Sequence, residues 1–102
     1  MSYRPLGIVK EIIEQTGLEV THVYDDLVFV EHSPFLIQFD DDNPDTVRLH
    51  FNVDIKTEAR DMLERRISDA ASERKLQVKT TGRFEMTQRE DSEEIDIHFL
   101  ED

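Results

Sequence analysis

The fold is decided by residues 18–53, whose sequence is LEVTHVYDDLVFVEHSPFLIQFDDDNPDTVRLHFNV. Apolar side chains recur at alternate positions through most of this stretch, and that spacing is typical of β-strands with one buried face. Acidic and proline-containing turns divide it into four runs, at residues 18–24, 27–30, 35–39 and 47–53. Because the connections between these runs are short, we predict an antiparallel meander of strands.

A helix is predicted on either side of this meander in the sequence. Residues 3–16 carry an apolar stripe at helical spacing, and Gly17 suits the left-handed position that ends a helix. Residues 55–75 form the longest predicted element. Its apolar residues recur at spacings of three and four, at Ala59, Met62, Leu63, Ile67, Ala70 and Ala71.

Residues 76–88 fit two arrangements. A three-residue loop at residues 80–82 would make a hairpin in which Val78 pairs with Phe84. Alternatively, the segment is one long strand with a bulge at Gly82, and Val78 and Phe84 are then expected to keep the same parity. The spacing of the apolar residues leaves both arrangements open.

These elements predict a single α+β domain that spans residues 1–102 and includes the acidic C-terminal end, residues 90–102. A last strand is expected at residues 95–99, where apolar and polar side chains alternate. The predicted order is α-β-β-β-β-α-β-β, with one more strand if residues 76–88 form a hairpin. Both helices are expected to pack on a mostly antiparallel sheet. A chain of 102 residues has no room for two independent cores.

Charge is distributed unevenly along the chain, which contains 24 acidic and 12 basic side chains and has a formal charge of -12. Residues 18–54 carry nine acids and one base, and residues 90–102 carry seven acids and no base. Such a molecule attracts basic partners and repels polyanions, so nucleic acid is not an expected partner.

The composition argues against several classes of protein. The chain has no cysteine, so it forms no disulfide, thiolate metal site or cysteine nucleophile. No apolar stretch approaches the roughly 20 residues that span a bilayer, and the N-terminus lacks a signal-peptide core, so we expect a cytoplasmic protein with no membrane partner. Motifs for nucleophilic catalysis, phosphate binding and dinucleotide binding are absent, and neither an enzyme nor a cofactor is predicted.

Histidines and carboxylates suggest one alternative function, the binding of a small molecule or a divalent metal. His50 and His98 fall on predicted solvent-facing sides of strands, with Asp96 beside His98. If the two strands were neighbours, these three residues could form a metal site. The loop Asp40–Asp45 is a second oxygen-rich cluster, for which a cation site and a solvated turn are the two interpretations. His22 is expected to be half-buried and hydrogen-bonded.

A continuous apolar run predicts an interaction surface at Leu27, Val28, Phe29 and Val30. Both faces of such a strand need cover, and two helices can cover only one face of a sheet. A second copy of the chain or a partner protein could close the other face. The alternative is a sheet that curls far enough to bury the run internally.

The element order, small size and acidity of the chain resemble those of the specialised chaperones of type III secretion, which also have an α+β fold. The resemblance covers most of the chain at the level of element order, without a shared motif. Those chaperones usually close with a helix, whereas this chain is predicted to close with a strand. The resemblance implies a dimer that holds a partly unfolded protein segment. The predicted function is therefore protein binding, as a chaperone-like module or homodimeric adaptor.

Overall fold

The computed structural model describes residues 5–88 and 95–100. Its elements, in chain order, are helix α1 (Leu6–Gln15), strands β1 (Val20–Tyr24), β2 (Leu27–Val30), β3 (Phe35–Phe39) and β4 (Thr46–Asn52), helix α2 (Thr57–Glu73), and strands β5 (Gln77–Gln88) and β6 (Ile95–Leu100). The predicted α+β class and the predicted order of elements are both confirmed.

Within the described residues, the six strands form one sheet in the order β1-β2-β3-β4-β5-β6. Neighbouring strands are antiparallel except β4 and β5, which run parallel. A parallel pair cannot be joined by a tight turn, and α2 provides the longer crossover that it needs. The mostly antiparallel sheet is therefore confirmed, and β1 and β6 are its two edges.

Both helices pack on one face of the sheet, called here the helix face. Gly17 ends α1 with a left-handed φ of 93°, as predicted. Met62 is 46% exposed, although its spacing assigned it to the apolar stripe of α2. Successive helix residues are about 100° apart, so Met62 is turned away from the sheet when its neighbour Leu63 faces it. The buried residues of the two helices are Val9, Ile12, Ile13, Leu63, Ile67, Ala70 and Ala71.

None of the helices in the described ranges is long and apolar enough to cross a membrane.

A β-bulge interrupts the pairing of β5 with β4. Leu49 pairs with Thr80, but the next residue of β4, His50, pairs with Gly82. Thr81 is therefore one extra residue on β5. Residues 76–88 thus contain one long bulged strand rather than a hairpin, because β4 supplies a parallel partner through this region and the chain does not need to turn back.

The bulge also changes which face the later side chains occupy. Val78 packs against the core under the helices, whereas Phe84 and Met86 pack on the opposite face of the sheet, called here the second face. The expectation that Val78 and Phe84 keep the same parity is therefore wrong. One extra residue in a strand moves every later side chain to the other face.

The apolar run of β2 is covered on both faces by the chain itself. Val28 and Val30 belong to the core under the helices. Phe29 belongs to a second cluster with Leu36 and Phe84 on the second face. Val28, Phe29 and Val30 are each no more than 7% exposed.

Cover for the second face comes from the β5–β6 arm, defined as residues 83–88 and 95–100. Met86 and Ile97 of this arm pack against the second cluster, so the sheet curls until its β6 edge reaches over β2. Of the two arrangements considered for the apolar run, a partner on the open face or a curled sheet, the structure shows the curled sheet. This corrects the expectation of an open interaction surface at Leu27, Val28, Phe29 and Val30. The helices cover Val28 and Val30, and the arm packs against the cluster that contains Phe29, so only Leu27 stays partly exposed.

Candidate functional site

A cleft opens on the second face between the β1–β2 hairpin (residues 20–30) and the β5–β6 arm. Its volume is about 470 Å³, which lies within the range of roughly 300–1,000 Å³ that ligand pockets occupy. The lining residues are Thr21, His22, Tyr24, Leu27, Phe29, Ser33, Met86, Asp96 and Ile97. Most of these side chains are apolar or aromatic, and the cleft is open to solvent rather than enclosed.

Strand β1 forms an aromatic wall of the cleft. The ring of His22 stacks flat on the ring of Phe29, with the centroids 4.3 Å apart and the planes 7° apart. Tyr24 is 71% exposed. His22 is exposed, so the prediction that it is half-buried is wrong; the prediction that it is hydrogen-bonded is confirmed, because its Nδ1 lies 3.2 Å from Oγ1 of Thr21. Rigid aromatic side chains of this kind give a ligand contact area at a low cost in conformational entropy.

The opposite wall comes from the β5–β6 arm. Met86 and Ile97 are directly paired across the two strands and supply its apolar part. Asp96 borders the cleft at the rim. Apart from Met86 on β5, the lining residues come from the two acidic parts of the sequence: Thr21 to Ser33 lie within residues 18–54, and Asp96 and Ile97 lie within residues 90–102. A ligand in the cleft would experience a negative potential.

His50 is buried on the second face, where it is paired with Leu36, although its alternation with apolar residues predicted a solvent-facing position. It is 5% exposed, and its ring centroid lies 4.7 Å from that of Phe99. Its Nε2 lies 3.1 Å from Oε1 of Gln38, and Nε2 of Gln38 donates to Oδ2 of Asp26 at 2.8 Å. An amide oxygen only accepts, so neutral His50 carries its proton on Nε2. Burial lowers the pKa of His50, the positive charge of Arg48 lowers it further, and Asp26 partly opposes both effects.

Mild acid is expected to destabilise the fold through His50. Its folded pKa is below the ordinary value of 6.5, so the unfolded chain binds a proton more readily. The contribution of His50 to the free energy of unfolding is fully present above pH 6.5 and falls as the pH drops below that value. It stops falling once the pH is below the pKa of His50 in the folded protein. Urea unfolding at pH 7.5 and pH 5.5 measures the loss. His50→Gln is expected to reduce the difference between the two pH values, and an unchanged difference would contradict this assignment.

The three residues predicted to bind a metal are not assembled into a site. Asp96 and His98 alternate with Ile97 and Phe99 along β6, so they lie on the side of that strand opposite to the ring that contacts His50. In the part of the chain that the structure describes, no group of three or more histidine and carboxylate side chains is placed to hold a metal ion.

Two side chains of the loop Asp40–Asp45, those of Asp40 and Asn43, make contacts within the protein. Oδ1 of Asp40 accepts a hydrogen bond from the backbone N–H of Asp42 at 3.0 Å, and its Oδ2 lies 3.6 Å from the guanidinium of Arg48. The side chain of Asn43 accepts a hydrogen bond from the backbone N–H of Asp45 at 3.4 Å. Such bonds stabilise a turn between two strands.

Three residues that line the cleft were singled out from the sequence, but for two different sites: Leu27 and Phe29 for an interaction surface and Asp96 for a metal site. The sequence did not indicate that they share one cleft, and it did not identify Tyr24, Met86 or Ile97 as site residues. A bulge at Gly82 was one of the two arrangements considered for this segment, but the later side chains were expected to keep their parity; the extra residue, Thr81, instead places Met86 over β2. Without it, the two walls of the cleft would not face each other.

Comparison with known proteins gives no relative from which a function could be transferred. No protein-family model matches the chain, and neither the curated proteins nor the solved structures gave a significant match.

Proposed function

We propose that this protein is a cytoplasmic, non-enzymatic binding module that takes an apolar segment of another protein into the cleft. The observation that carries the proposal is the cleft itself, an open and largely apolar groove of about 470 Å³ with the exposed ring of Tyr24 at its edge. The resemblance in element order to secretion chaperones suggests the same class of function.

The charge of the chain indicates what kind of segment would bind. All the lining residues except Met86 belong to residues 18–54 or 90–102, and these two parts of the sequence together hold 16 of the 24 acidic side chains and one basic side chain. Long-range attraction therefore favours a partner segment with basic side chains around its apolar residues. An acidic partner, including a second copy of this chain, would be repelled.

The test uses a flexible peptide in which Phe and Leu are separated by Gly-Ser spacers and Lys lies at both ends. Binding by the intact protein is expected, with chemical-shift changes in NMR spectra concentrated at Tyr24, Leu27 and Met86. Tyr24→Ala is expected to weaken binding at least about tenfold, because aromatic residues at the rim of an apolar site commonly contribute more than 1 kcal/mol. Since Tyr24 is 71% exposed, this change is not expected to affect folding.

Met62→Ala is the matched control. It also truncates an exposed apolar side chain, but Met62 lies on α2 and does not line the cleft. This variant is expected to bind the peptide as the unmodified protein does. Equal affinities for all three proteins would contradict the proposal. Uptake of a small aromatic dye without any peptide binding would instead favour a small-molecule site.

A further inference from the structure

Strand β1 is an edge strand whose outer side has no strand partner within residues 5–88 and 95–100. Its last four residues, Thr21 to Tyr24, are all exposed. Edge strands are commonly protected against further pairing by Lys, Pro, charged side chains or bulges. Val20–Tyr24 contains no Lys, Pro or carboxylate, and the irregularity in its pairing lies between Val20 and His22, so residues 22–24 keep a regular register. The backbone N–H and C=O groups along this edge can therefore pair with another strand.

The cleft adjoins this edge. A strand placed beside β1 would have alternate side chains on the second face, where His22 and Tyr24 lead into the cleft. Its other side chains would lie on the helix face, next to Val23, which is 42% exposed. The edge and the cleft thus form one surface that fits an extended chain with apolar residues at every second position.

Carboxylates stand at both ends of β1. Glu19 precedes the strand, and Asp25 and Asp26 follow it. If two copies of this protein paired antiparallel through β1, Glu19 of one copy would lie beside Asp25 and Asp26 of the other, and like charges in facing positions are unfavourable. A segment with basic ends would meet charges of opposite sign. Charge therefore favours a basic partner over a second copy.

We propose that the partner of the cleft is a basic, extended segment of another protein that adds as a strand to the free edge of β1. This inference rests on the proposed function and specifies how the partner is held. Backbone hydrogen bonds to β1 would supply affinity, and the cleft would select apolar side chains at alternate positions. The acidic ends of β1 would select Lys or Arg at the ends of the segment.

The first test compares peptides in which Val and Thr alternate, with Lys at both ends of one peptide and Glu at both ends of the other. The Lys-ended peptide is expected to bind at least about tenfold more tightly at low salt, and the preference should shrink as salt is added. In a series of peptides that each carry one methylated backbone nitrogen, binding is expected to weaken only when the methyl group is at every second position along the peptide. In a strand, alternate N–H groups point toward the same neighbour.

The second test changes the protein. Val23→Lys places an edge-protecting positive charge on β1, and Met62→Lys places the same charge on α2. The two side chains have similar exposure, 42% and 46%. Val23→Lys is expected to weaken binding of the Lys-ended peptide at least about tenfold. Met62→Lys is expected to change it less than about twofold, with both variants melting near the temperature of the unmodified protein.

Two results would overturn strand addition: equal weakening by methylation at every nitrogen, or equal effects of the two lysine variants. The proposed function would survive either result if the flexible Phe-Leu peptide still bound in a manner that depended on Tyr24. If the protein preferred the Glu-ended peptide, or formed dimers through β1 in the absence of peptide, the proposal that the partner is basic would be overturned. Failure of all the peptides to bind would overturn both the inference and the proposed function.

Discussion

Phe84→Ala is expected to lower the free energy of unfolding by about 3–5 kcal/mol, the range for removing a fully buried phenylalanine ring. Phe84 is 0% exposed and forms the second cluster with Phe29 and Leu36. It also lies where β5 passes from pairing with β4 to pairing with β6. A domain of this size is typically stable by about 5–15 kcal/mol, so the loss is a large fraction of the total. Urea unfolding measures it directly.

Phe99→Ala provides the matched control. Phe99 is paired directly with Phe84 across the two strands, but it is 46% exposed. Its removal is expected to cost no more than about 1.5 kcal/mol, mostly from the lost contact with the ring of His50. If the two substitutions cost the same, the second face is not buried in the way that the curled sheet requires.

Val28→Lys is expected to prevent folding at room temperature. Val28 is 0% exposed, between the sheet and the helices, and a lysine there would bury an unpaired charge. Burial of an unpaired ion costs several kcal/mol, which is comparable to the whole stability of a small domain. Circular dichroism and the dispersion of the NMR spectrum measure the outcome.

Val23→Lys is the control for this change, because Val23 is paired directly with Val28 on the neighbouring strand. At 42% exposure the lysine can reach water, so the stability is expected to change by about 0.5 kcal/mol or less. A well-folded Val28→Lys variant would contradict the burial of this side of β2 beneath the helices.

The elements could be predicted from the sequence because each carries a strong local pattern. Strand β4 alternates apolar and polar residues, and the buried residues of α2 recur at helical spacing. The antiparallel meander follows from short connections, and the long helix between β4 and β5 is the connection that a parallel pair needs. These features depend on residues that are close together in the sequence.

The candidate site could not be predicted, because it depends on relations between distant strands. Gly82 marks a place where a bulge can occur, but whether one residue is extra is decided only by the pairing with β4. The expectation that Phe84 shares a face with Val78 is therefore wrong, and it leaves one face of β2 without cover. His50 was placed in solvent for the same reason, since one polar residue between apolar neighbours usually marks the exposed face of a strand. Here both faces of β4 are buried.

The curl of the sheet underlies both the candidate site and the function proposed for it, and an NMR measurement of through-space contacts tests it most directly. In a spectrum of the monomeric protein, we expect cross-peaks between the ring protons of Phe29 and the methyl groups of Met86 and Ile97. If Phe29 instead gave cross-peaks only to a second copy of the chain, in a mixture of labelled and unlabelled protein, the curled sheet and its cleft would be contradicted.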